Sequence, residues 1–206
     1  MENLFQIFSQ NKTLWLLVLV LIVATIVMMA KASKAVKKSN AEKEELIKKL
    51  DHLKMLREKY EILTEESIKN DTSDMLLEGV ASNIQLTIEK TEDMNEAFEE
   101  LSDNKKMIYA LNYFIDDAKE SVRKFFKEYT KPLTPYAVMA TDKFADEKSK
   151  ELVRKMYEIF DDENEETSFF ESEVEKIEEE LKASLDFEKM LRTANEFIRE
   201  NAKEFI

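Results

Sequence analysis

Between Leu14 and Ala30 the chain reads LWLLVLVLIVATIVMMA, an apolar run with no charge and no strong helix breaker. Such a run spans the hydrocarbon core of a bilayer, at the short end of roughly 17 to 25 residues. Trp15 stands where an interfacial aromatic would anchor it. A buried core helix is one alternative, but five turns without a polar face are rare in a soluble core. A cleaved signal peptide is another, because Ala30 and Ala32 form a small-x-small pattern. Against it, only Lys12 precedes the run, the run exceeds the roughly 7 to 15 residues of a signal core, and lysines follow it. The pattern therefore predicts a transmembrane helix over 14–30, preceded by a short extracytoplasmic N-terminus over 1–13.

Past the run, Leu46, Leu50, Leu53, Leu56, Tyr60 and Leu63 recur at spacings of three and four, an apolar stripe on one helix face. Its phase slips near Leu53, so no sustained heptad seam is established. This predicts a helical stalk over 31–70 that either packs on the following domain or pairs with a second copy of the chain. The capping residues Asn70-Asp71-Thr72-Ser73-Asp74 mark the boundary.

Periodic apolar positions then predict a helix from Met75 to Lys90, with Gly79 marking a close helix contact, and a shorter one recapped by Thr91 or Asp93 through Leu101. A long helix from Asp103 to about Tyr129 carries the fullest apolar face. Pro132 and Pro135 interrupt, with Thr134 as N-cap of a helix through Phe144. Asp146 caps the next, through Phe160. An exposed loop follows over Asp161 to Thr167, then helices over Ser172–Ala183 and from Phe187 to near Phe205. The expected fold is all-α: one membrane helix, a stalk, and a bundle of about six helices over 71–206.

Composition narrows the chemistry. Gly79 is the only glycine, and Pro132 and Pro135 the only prolines, too few for the turns of a sheet protein. The absence of cysteine removes disulfides, thiolate metal sites and cysteine nucleophiles. His52 is the only histidine, which removes His-Glu-x-x-His sites and the usual hydrolase triad, and one glycine cannot make a phosphate-cradling loop. No enzyme, cofactor or metal is expected. His52, among charged neighbours, reads as a solvated polar residue, and the aromatic stripes at helical spacing read as core.

The net charge of −13 is unevenly distributed. Residues 31–70 hold eleven Lys/Arg against eight Asp/Glu, and residues 71–206 hold nineteen against thirty-five. Lysines after the apolar run place the acidic domain in the cytoplasm and the N-terminus outside, a single-pass protein of the cell membrane. Lys31, Lys34, Lys37 and Lys38 are the candidates for contact with anionic lipid headgroups. Direct nucleic-acid binding is disfavoured by the sign of the charge.

Carboxylates concentrate over Asp161 to Glu180. Asp161, Asp162, Glu163, Glu165, Glu166, Glu171, Glu175, Glu178 and Glu179 are the candidate partner-binding residues, with Glu171, Glu175 and Glu179 at four-residue spacing on one face. A solvated face that keeps the protein soluble has the same appearance. Asp161, Glu163 and Glu165 alternate as in a calcium loop, but the glycine at its sixth position is missing and Ser172 stands at the twelfth.

The segments IYALNYFIDDAKESVRKFFKEYTKPLTPYAVMATDKF (Ile108 to Phe144), ELVRKMYEIF (Glu151 to Phe160) and FIRENAKEF (Phe197 to Phe205) resemble the C-terminal domain of the DNA mimic protein family, small acidic helical bacterial proteins. In that family the long helix ends in an Asn-Gly-Gly-Phe-like turn, whereas Ala118 to Phe126 contains no glycine. The resemblance implies a helical fold, no catalysis, possible self-association and, as in the best-known member of the family, an acidic surface that occupies the DNA-binding face of a transcription factor. Two functions follow as expectations: a membrane-anchored, non-catalytic protein-interaction module, or a membrane-tethered DNA mimic that sequesters a basic DNA-binding protein.

Overall fold

The computed structural model describes residues 12–160 and 171–206; within its helices the side chains of 12–24, 26, 27, 30, 32–35, 37, 38, 42 and 171 are outside the description. All regular structure among the described residues is helical. Among them no helix is long and apolar enough to cross a membrane. Most of the run Leu14–Ala30 falls where side chains are not described, and of the expected N-terminal segment residues 1–11 lie outside the described residues.

Two compact units divide the chain, Met1–His52 and Leu53–Ile206. The described part of the first is α1, a helix that runs Lys12–Tyr60 and so ends in the second unit. No glycine or proline interrupts it, and Glu45 pairs with Lys49 one turn on at 3.3 Å. Leu46, Ile47 and Leu50 are exposed in the first unit at 57%, 57% and 56%. The stripe changes character beyond them: Leu56 and Tyr60 are buried in the second unit. The slip in phase near Leu53 falls just before Leu56, the first buried position of the helix among the described residues. Residues 53–70, read from the sequence as stalk, belong to the compact unit.

The second unit continues with α2 Glu65–Asn70, α3 Leu76–Glu89, α4 Met94–Glu99, α5 Asp103–Ala118, α6 Val122–Glu128, α7 Leu133–Phe144, α8 Glu147–Phe160, α9 Glu171–Ser184 and α10 Phe187–Glu200, closed by a 3-10 turn Ala202–Phe205. Among the described residues eight of these α-helices lie within 71–206, against about six expected there, and α2 precedes them. Thr64 and Ser67 form a capping box that starts α2. Asp93 accepts from the Asn95 and Glu96 N–H groups, Asp146 from Ser149, and Asp186 from Lys189.

The long helix expected over Asp103 to Tyr129 is two helices. Ser121, extended at φ −167° and ψ 122°, starts α6 by accepting from the Lys124 N–H. In an unbroken helix Phe114 and Phe125 would lie about 16 Å apart along the axis. The break brings their ring centroids to 5.3 Å, edge to face, and Phe126 also meets Phe125 edge to face at 5.2 Å. Burial of three phenylalanines outweighs the backbone hydrogen bonds given up at the turn.

A second correction concerns the prolines. Thr134 is not an N-cap: α7 begins one residue earlier at Leu133, and Thr134 is buried inside its first turn. Pro135 falls at the third helical position, where a missing N–H costs no intrahelical bond.

The core centres on α5, which packs against α3, α6 and α7. Its Ile108, Leu111 and Phe114 are fully buried, as are Ala110 on α5 and Ala137 and Ala140 on α7, small residues that permit close helix approach. Gly79 on α3 lies against the Tyr60 ring, and a Cβ there would overlap the ring carbons. The close contact expected at this glycine is thus with the end of α1.

Candidate functional site

The predicted acidic surface falls only in part within the described residues. Asp161, Asp162, Glu163, Glu165 and Glu166 lie outside the described residues, as does the calcium-like loop they would form, and the Glu171 side chain is likewise outside. Glu175 and Glu179 are exposed on α9, together with Glu173. Glu180 is half-buried, with Lys148 of α8 at 3.6 Å.

Glu178 departs from the expected surface. It is only 8% exposed, and its Oε2 accepts from the Arg123 N–H, the second residue of α6, at 3.0 Å. Its Oε1 has no hydrogen-bond partner, and Lys182 Nζ stands 3.7 Å away. A carboxylate at a helix N-terminus satisfies an orphan donor and opposes the positive end of the helix dipole. Glu178 therefore fastens α9 to α6 and is withdrawn from the acidic face. Replacing it by alanine is expected to lower stability by about 1 to 2 kcal/mol through the lost cap, whereas Glu178→Gln, which keeps an acceptor, costs less than half as much; urea unfolding of the two variants measures this.

A parallel device starts α3. Met75, its N-cap, offers no side-chain hydrogen bond. The donor is met from α10: Asn195 Oδ1 accepts from the Leu77 N–H at 2.8 Å, and its amide nitrogen donates to the Asp74 carbonyl at 3.3 Å. Only 3% of Asn195 is exposed.

Of the predicted membrane-surface residues, Lys31 is exposed, and the side chains of Lys34, Lys37 and Lys38 are outside the description. His52 is exposed on α1, in keeping with a solvated polar residue. Among the described residues no three His, Cys, Asp or Glu side chains gather closely enough to hold a metal ion.

A polar constellation to which the sequence did not point gathers Lys59, Tyr60, Asp71 and Ser73. It lines an open depression of about 430 Å³ between the end of α1, α2 and the loop before α3. The Tyr60 hydroxyl donates to Asp71 Oδ2 at 2.7 Å and lies 3.1 Å from Ser73 Oγ. Lys59 Nζ donates to the Tyr60 oxygen at 2.9 Å and to Ser73 Oγ at 3.1 Å, and pairs with Asp71 Oδ2 at 3.0 Å. Ser73 N–H closes an Asx turn on Asp71 Oδ1 at 2.7 Å. Arg199 on α10 donates to the Asp71 carbonyl at 2.7 Å.

A lysine, a tyrosine and a serine lie in mutual reach around the Asp71 carboxylate, and this environment shifts each ionisable group among them. Burial pushes the Tyr60 phenol up from its ordinary value, making it harder to ionise. Burial also pushes Asp71 up, but hydrogen bonds from the Ser73 and Tyr60 hydroxyls, the Ser73 N–H and Lys59 outweigh it and hold the carboxyl well below the usual range. The Lys59 ammonium is raised, first by its hydrogen bond to Tyr60. The cluster acts as a clamp that joins the end of α1 to the Asp71 loop, which Arg199 ties to α10.

Its pH dependence follows. A carboxylate whose folded pKa is depressed contributes stability that is complete above its unfolded value, about 3.9, and is lost as pH falls below it. Asp71→Asn is expected to destabilise the protein most at neutral pH, with the gap to the parent narrowing below about pH 4. Urea melts from pH 7 to pH 3 decide this; a gap independent of pH would mean that the Asp71 charge contributes nothing.

The sequence signal available for this site was modest. Asp71-x-Ser73 is a recognisable Asx turn, but nothing local pairs it with Tyr60 or Arg199. No family model, no curated protein and no solved structure matches the chain.

Proposed function

We propose that this is a single-pass protein of the cell membrane, N-terminus outside, whose cytoplasmic helical bundle is a non-catalytic module for binding another protein. The observation that carries the anchor is the uncharged run Leu14–Ala30 followed at once by Lys31, Lys34, Lys37 and Lys38. Those lysines also suit anionic headgroups, at roughly 1 kcal/mol for each basic residue near the surface. The non-catalytic reading rests on the residue inventory, with one histidine, no cysteine and one glycine.

The absence of native cysteine makes topology directly testable. With an impermeant maleimide on intact cells, Asn11→Cys is expected to label, and Ser39→Cys only after permeabilisation. Both chains should stay in the membrane pellet through an alkaline carbonate wash. Release by carbonate would remove the anchor, and the opposite labelling pattern would reverse its direction.

A second reading, a membrane-tethered DNA mimic, has two supports. Glu173, Glu175 and Glu179 are exposed together on α9, and the chain turns after Ala118, in the stretch where the DNA mimic family places its glycine turn. The inward Glu178 and the Glu180–Lys148 pair weaken it, since each removes negative charge from the face. Duplex DNA presents a charge about every 1.7 Å of axis, a density that interrupted spacing does not match. Affinity capture with the full chain in detergent separates the readings. Capture of a DNA-binding protein, released by duplex DNA and by salt, supports mimicry; capture indifferent to DNA supports the general interaction module.

A further inference from the structure

We draw no further inference here: the strongest candidate, the exposed apolar face of α1 that carries Val36, Leu46, Ile47 and Leu50, is an unpartnered helix face, and nothing in the structure shows what covers it.

Discussion

A fragment that begins at Asp71 is expected to lack a cooperative unfolding transition, whereas one that begins at Leu53 is expected to melt as a folded domain. The sequence places the domain boundary at the Asn70–Asp74 capping cluster, yet Leu56, Tyr60 and Ile68 are 3%, 3% and 1% exposed in the core of the second unit. Each contributes about 1.5 to 3 kcal/mol by burial, so deleting all three removes roughly 5 to 9 kcal/mol. Whole domains are stable by only about 5 to 15 kcal/mol. Deletion also removes Lys59 and its partner Tyr60 from the Asp71 clamp, as well as Arg57, which bonds both Glu89 carboxylate oxygens at 3.1 Å. Thermal melts by circular dichroism, with dye binding to exposed apolar surface as a second reading, compare the fragments. Equal sigmoidal transitions would show that the end of α1 is an accessory.

Gly79→Ala is the second large effect, and it runs against helix propensity. In an exposed helix this change gains about 1 kcal/mol. Here the new methyl group would overlap a Tyr60 ring that cannot swing aside, because the ring is buried and its hydroxyl is held by Asp71. A net loss of about 1 to 3 kcal/mol is expected, the usual range for overpacking. A double-mutant cycle distinguishes this clash from any general intolerance at position 79. In a Tyr60→Ala background the clash is gone, and Gly79→Ala is expected to become neutral or stabilising. If it destabilises equally in both backgrounds, contact with Tyr60 is not the reason for glycine.

These two sites show what a linear pattern conveys. Gly79 was legible as a close approach because a glycine inside a helical stripe costs propensity and calls for a contact, although its partner was not named. The stripe from Leu46 to Leu63 was also visible, but spacing alone does not say whether a stripe faces solvent, a second chain or its own domain. The break at Ser121 was concealed by an apolar face that continues in phase on both sides of it. Ser121 was the available signal, an N-cap residue preceding a run of apolar positions. Thr134 misled for the converse reason: its caplike side chain is buried in the first turn of α7, past the position where a cap would accept from the backbone N–H groups.

The candidate surface was less legible than the fold. Counting carboxylates treats them as equivalent, while Glu175 and Glu179 face outward and Glu178 turns inward to a backbone donor 55 residues away in the chain. A helical wheel assigns direction relative to the helix axis, and the neighbour that Glu178 satisfies becomes apparent only when α6 is in place. Any charge-removal experiment on α9 should therefore treat Glu178 separately, because its replacement loosens the bundle as well as lowering the charge.

The remote cap on α3 has a consequence for how the protein is made. Leu77 leaves the ribosome 118 residues ahead of Asn195, and Asp71 precedes Arg199 by 128. At about 5 to 20 residues per second, α3 waits roughly 6 to 24 s for the side chain that completes its first turn. During that interval Leu76, Leu77 and Val80, all buried at the end, have no finished core to enter. A chain stalled before α10 would keep the α3–α5–α7 contacts but leave the Leu77 N–H without Asn195 and the Asp71 carbonyl without Arg199.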